Sequence, residues 1–402
     1  MEGLGVRGEG RGMALTRFAL WHAACYNPTD MNMRIPAVVL ALCGAGACLA
    51  LSPDDVIVVA NSRVPASRAI AAAYCDAHGI SSNRVVFVDV EDRSDMTSEA
   101  YRRRIEAPVL AAVTQAAARC VVLCYGIPWR IVNGRRDTPP HPSTSTWASV
   151  DTELATLGKS GTAGLPASPN PYFGQSAPFA RNDMLLVARL DGANARDAQA
   201  LIVRAEAVEA TAGGCAMIDQ QPVVNNGSNG VIRAYNMALE RAAAWLESQG
   251  ISVILDAGQE LATPPANRPV LLYWGWYAGP NGDYTSNTYA GCEWAFGAVA
   301  VHVCSFGAAG MRRTQSAVPG LVADGVSATI GSVHEPLVQG WTVPDVFCVN
   351  YFRRDGSGLT FIESAYAATP FLSWQMLFIG DPLLRYRPYS ARQPVASTQA
   401  ER

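Results

Sequence analysis

Two short segments concentrate the residue types that move protons or attack carbonyl carbons. The first, His302-Val303-Cys304-Ser305-Phe306-Gly307, offers a thiol or a hydroxyl as nucleophile. The second, His334-Glu335-Pro336, sets an imidazole that titrates near neutral pH beside a carboxylate able to fix its tautomer. Cys304 or Ser305 as nucleophile and His334 as base make one reading of this chemistry. His302 is a further base if its segment is extended, because alternate residues of a strand share a face. A third segment, Tyr273-Trp274-Gly275-Trp276-Tyr277, has no nucleophile and is built of large aromatics. With Phe306, Glu335 and Arg130 it outlines a cleft that holds a ligand, Arg130 taking an anionic group. Asp151 and Glu153 send two carboxylates in one direction if extended, which makes them weak candidates for a hard cation. His141, beside Pro139-Pro140, is a further ligand or a turn residue.

Several chemistries lack their signals. There is no G-x-x-x-x-G-K-[ST] loop and no H-E-x-x-H pair, and Val303-Cys304-Ser305-Phe306-Gly307 lacks the first glycine of a G-x-S-x-G elbow. The first strand runs into Asn61-Ser62-Arg63-Val64-Pro65 and not into a dinucleotide-binding glycine cradle, so no cofactor is expected. A net charge of -3 with acids and bases interspersed provides no basic stripe for nucleic acid.

The elements that must position these residues alternate along the chain. With 49% hydrophobic and 16% charged residues, 402 residues suffice for a large core. Met33-Arg34, the apolar run 35–47 and the small residues Ala45, Gly46, Ala47 and Ala50 read as a secretory signal, and the Gly/Arg-rich stretch before it suggests a true start at Met31 or Met33. Residues 1–50 are therefore set apart as a spurious extension plus signal peptide, with Cys48 a lipidation candidate. Export to the periplasm or the extracellular space is expected, with no membrane span after signal removal. Seven cysteines follow, an odd number. Cys120 and Cys124 on one strand lie about 13 Å apart, too far to pair, so the cysteines read as small core residues.

Unbroken apolar runs at 56–60, 85–90 and 120–125, separated by helical patterns at 65–78 and 98–118, mark a mostly parallel, doubly wound α/β sheet. This forms an N-terminal α/β subdomain at 51–184, with a long Pro/Ser/Thr-rich loop at 137–146. Strand and helix patterns resume through 185–388, and 389–402 is a polar, disordered tail. Ligands of open α/β sheets gather beyond the carboxyl ends of the strands, which selects Tyr273–Tyr277 and His302–Phe306.

The order of Ala188-Arg189-Leu190-Asp191-Gly192, Tyr273-Trp274-Gly275-Trp276, Cys304-Ser305, Asp324–Gly331 and Gly380-Asp381-Pro382 resembles the gingipain-type, caspase-like cysteine peptidases over roughly 185–388. The resemblance implies a caspase-like α/β domain. It also implies a catalytic histidine ending one strand and a nucleophilic cysteine ending the next. Trp276 stands at the histidine position, and an indole accepts no proton at neutral pH. The mature chain also resembles a family of exported bacterial proteins with no assigned function. Two expectations result. One is a binding or scaffold protein for peptide, protein or glycan, with Trp274, Trp276 and Tyr277 as an aromatic platform. The other is a cysteine-peptidase-like hydrolase with altered catalytic residues.

Overall fold

The computed structural model describes residues 50–132, 147–159, 167–176, 184–208, 214–221, 229–257, 268–276 and 292–388. The first half of the chain forms β1 (Val56–Asn61), α1 (Pro65–His78), β2 (Val85–Val88), β3 (Asp95–Met96) and α2 (Ser98–Tyr101). A π-turn at Arg102–Glu106 leads into α3 (Ala107–Ala116), followed by β4 (Cys120–Cys124), β5 (Arg130–Val132), β6 (Trp147–Ser149), α4 (Val150–Leu154) and β7 (Ser168–Pro169). Next come β8 (Leu186–Leu190), α5 (Ala195–Glu206), β9 (Cys215–Asp219), α6 (Asn229–Ser248), β10 (Ser252–Asp256) and β11 (Val270–Trp276). The chain continues through β12 (Trp294–Val303), α7 (Ala317–Asp324), β13 (Ala328–Ser332), α8 (Pro344–Tyr351), α9 (Phe361–Ala367), β14 (Phe371–Leu372) and β15 (Met376–Gly380).

Ten of these strands form one mostly parallel sheet in the order β10-β9-β11-β12-β13-β15-β8-β4-β1-β2. The expected α/β class is thus observed. Strands from both sequence segments hydrogen-bond into this single sheet, β4 pairing with β8 from Cys120↔Leu186 to Cys124↔Leu190. The stretches β2-β1-β4-β8 and β10-β9-β11-β12-β13 are each parallel. Between them lies β15, antiparallel to β13, with Ala328 opposite Gly380 and Ser332 opposite Met376.

Continuous apolar runs give strands buried on both faces, as β1, β4, β8 and β11 are at every residue. Alternation along β11 separates the two helical layers. Tyr273 packs with Met217, Ala300 and Leu321 of α7. Trp274 faces the other way, donating its Nε1–H to the Tyr235 hydroxyl of α6 at 3.1 Å and meeting Phe347 of α8. The seven described cysteines are all free thiols and six are buried, as their reading as small core residues requires.

Local chemistry fixes the segments that bound the site. Proline opens α1 and Gly79, at φ +65, closes it. Asn61, at the end of β1, is fully buried: its amide donates to Ser67 Oγ and its side chain donates to Gly126 O. β5 and β6, which follow β4, join the earlier β3 in a small sheet of order β3-β5-β6. Its anchor is Arg189 of β8, a fully buried guanidinium that donates to Asp151 at 2.7 Å, to Ile127 O at 2.9 Å and to Pro128 O at 2.8 Å. Burial pushes the Asp151 carboxyl up to about 6 against the opposing pull of Arg189.

These contacts overturn the cation-site expectation for Asp151 and Glu153. Both belong to helix α4, where residues two apart diverge by about 200°. Asp151 is taken by Arg189 and Glu153 accepts a hydrogen bond from Ser373 Oγ. Among the described residues no group of three potential ligands converges on a metal position.

Candidate functional site

The chain leaving β12 lies beside the chain leaving β13. The Phe306 amide donates to His334 O at 3.0 Å and the Ala308 amide to Ser332 O at 2.9 Å. To make this turn Phe306 adopts φ +64, a left-handed conformation that costs a side chain about 1–2 kcal/mol. Its ring is left 45% exposed. Ser305 Oγ donates to Glu335 Oε2, and the other carboxylate oxygen accepts from the Leu337 amide at 3.0 Å. Ser305 and Glu335 are therefore brought together.

His334 is directed elsewhere. Its ring lies between Trp147, with centroids 4.3 Å apart, and Phe306, at 4.8 Å. Burial and the nearby Arg130 charge both lower its pKa, with Glu335 opposing. Its Nδ1 is buried without a hydrogen-bond partner. The Ser305 hydroxyl spends its donor on a carboxylate, so the expected Ser–His pairing is absent among the described contacts.

The remaining expected catalytic residues are closed off. Cys304 is 2% exposed, and burial, then the Glu335 charge, push its thiol up to about 12. A Cβ on Gly307 would come within 3.0 Å of its sulfur, so only a glycine covers it at this closeness. Burial of this kind disfavours the thiolate, the form of cysteine that attacks. His302 is 3% exposed and burial lowers its pKa to about 3, the behaviour of a core histidine.

The aromatic platform is corrected by the same criterion. Tyr273 is buried and its hydroxyl donates to Asp219 at 3.4 Å. Trp274 is fully buried, and Trp276 stands edge-on against Tyr235 with centroids 5.1 Å apart. Helices α6 and α8 cover the face to which these indoles point, so neither meets a ligand. Trp276 pairs with Val303, and the next residue, Cys304, leaves the opposite face. Tyr277 and His141 lie outside the described residues.

What stays open is a cavity of about 680 Å³ lined by residues that include Trp129, Arg130, Ser305, Phe306, Arg312 and Arg313. Arg130, expected in this position, forms an ion pair with Asp95 at 2.6 Å, its guanidinium 5.5 Å from the Trp147 ring. Arg312 donates to Asp191 Oδ1 at 2.7 Å and to Gly192 O at 2.8 Å and stacks on Tyr125 and Trp129, at 4.1 and 5.0 Å. Burial disfavours its charge, and Asp191 more than offsets that, so its pKa is raised. This contact ties the chain after β12 to the end of β8. Trp129 and Arg312 were missed in the sequence, where the doublet Arg312-Arg313 between Gly310 and Ser316 is the sole signal.

No family model matches the chain, and no curated protein matches it. A solved structure described as "Structure of Protease" is 12% identical, with a TM-score of 0.44, over 84% of this chain and 80% of that one.

Proposed function

We propose that the protein is an exported, caspase-like-fold binding protein that holds a peptide or glycan in the Trp129–Phe306–Arg312 cavity and lacks the standard Cys/His dyad. The observation that carries this reading is the contrast between a sealed Cys304, its thiol at about 12, and an open 680 Å³ cavity beside an exposed Phe306. A space of this size, with aromatic walls and a few charged groups, suits a small ligand or one end of a longer one. Ala309→Trp fills the cavity from its own wall. In a thermal-shift screen of peptides and glycans, a ligand that stabilises the native chain leaves this variant unshifted. Equal shifts for both proteins would sink the reading.

The Ser305–Glu335 hydrogen bond supports a second reading, a hydrolase in which the carboxylate takes the serine proton. A fluorophosphonate probe decides between them. The binding reading expects no covalent labelling of Ser305, and labelling abolished by Glu335→Gln would establish the hydrolase.

A further inference from the structure

The ten-stranded sheet ends in two outer strands, β10 and β2. On β10 one bond shows which way the main chain faces. The Gln220 amide donates to Asp256 O at 2.8 Å, within a parallel ladder that runs without a break from Ser252↔Cys215 to Asp256↔Asp219. The N–H and C=O of one strand residue leave by the same edge, and the next residue uses the other edge. Ser252, Ile254 and Asp256 therefore spend their main-chain groups on β9. Those of Val253 and Leu255 point away from the sheet. Outer strands are commonly guarded by lysine, proline or a bulge. Ser252-Val253-Ile254-Leu255-Asp256 has none of these, and Leu255 is 47% exposed.

The two ends of β10 carry opposite charges. The exposed Arg268 donates to Ser252 Oγ at 2.9 Å, which sets a guanidinium at the first residue of the strand. Asp256 sets a carboxylate at the last. A strand with this pattern is its own complement when a second copy lies antiparallel to it. With Ile254 facing Ile254, Val253 lies opposite Leu255 and Ser252 opposite Asp256. Val253 and Leu255 then exchange their outward N–H and C=O groups, giving four main-chain hydrogen bonds about the two-fold axis, with Ile254 in the closer, unbonded pair between them. Leu255 gains the Val253 side chain of the other copy as a cross-strand neighbour. Arg268, held at Ser252, meets Asp256 of the second copy, and symmetry repeats the contact at the other end. A parallel pairing in register would instead set Asp256 beside Asp256.

We propose that β10 is an interface between two copies of this chain, their sheets joined antiparallel about Ile254 with Arg268 of each copy against Asp256 of the other. The strand offers only five residues a side, well short of a standard interface, so the dimer is weak, with a Kd on the order of 10–100 µM.

Sedimentation equilibrium of the full chain from about 1 to 200 µM tests it. Val253→Pro removes an outward N–H that the monomer does not use, and it should raise the dimer Kd at least about tenfold through two lost hydrogen bonds. Asp256→Arg and Arg268→Glu each place like charges together at both ends and should each leave the chain monomeric. Mixed in equal amounts, these two variants should pair again, because each then meets its opposite at both ends, a recovery that misfolded chains would not show. Phe87→Arg, on the outer strand β2, should leave the dimer unchanged. A chain monomeric at the highest concentration, whether or not an unrelated extended peptide binds β10, overturns the proposal. So does a dimer that survives Val253→Pro, one that Phe87→Arg abolishes, or a mixture of the charge variants that stays monomeric.

Discussion

Neighbouring strand ends of this sheet meet opposite fates. At the end of β11, Trp274 and Trp276 turn beneath α6 and α8 and are lost to the core. At the ends of β12 and β13, Ser305, Phe306, His334 and Glu335 stay partly exposed, because the chain crosses from one end to the other by Phe306–His334 pairing and leaves a cavity against Trp129 and Arg312. The strand-end rule pointed to both ends alike. It is silent on access, which is decided by the helical layer above each end.

The sharpest way to break this contrast is to remove the pin beneath the open end. Arg189→Leu strands the buried Asp151 carboxylate and the carbonyls of Ile127 and Pro128, and should cost about 3–5 kcal/mol in urea unfolding. Arg189→Leu combined with Asp151→Leu should recover part of that. A loss under about 1 kcal/mol would show that the loop behind Trp129 is held by something else.

Placing a histidine at the closed end tests whether that end could serve chemistry. Trp276→His should lose about 3 kcal/mol of stability through the space it leaves. It should give no peptidase activity and no faster alkylation of Cys304, since the two side chains leave opposite faces of the sheet. A gain of hydrolysis would refute the assignment of faces.

Acid probes both ends together. His302 and His334 have folded pKa values below the ordinary 6.5, so the unfolded chain binds their protons first and stability falls as pH drops below about 6.5, continuing for His302 toward about 3. His78 opposes this trend. Burial lowers its pKa, but Asp381 at 2.7 Å raises it overall, so its contribution is present below 6.5 and is lost as pH rises through the folded value. Urea midpoints between pH 7 and 5 should decline, and His302→Met should flatten the decline. A stability that rises toward pH 5 in both proteins would contradict the burial of His302.

The smallest effect belongs to Ser305→Ala. It removes one partly exposed hydrogen bond to Glu335 and should change stability by about 1 kcal/mol or less.

Much of the scaffold was legible because two-faced burial writes itself into composition. The runs at 56–60 and 120–125 became β1 and β4, and Pro65–His78 became α1 with both ends as expected. The late helices α8 and α9 and strand β15 were not marked out. In α9 every residue is buried, Glu363 and Ser364 included, so polar and apolar positions do not alternate between solvent and core and the segment shows no amphipathic period. In the site, Arg130, Ser305, Phe306 and Glu335 were legible as polar or aromatic residues near strand ends. Trp276 and Cys304 misled because residue type says nothing of the layer above. Arg312 escaped because its partner Asp191 is 121 residues away in sequence.

Arg189 has a further consequence in the language of native-state hydrogen exchange. By gripping the carbonyls of Ile127 and Pro128 from the middle of the sheet, it makes the turn that carries Trp129 part of the core's cooperative unit. The amides of Trp129 and Arg130, bonded to Ser94 O, then exchange with the slow class of β4 and β8 and not with surface loops. On this basis the floor of the cleft should open only when the sheet itself opens.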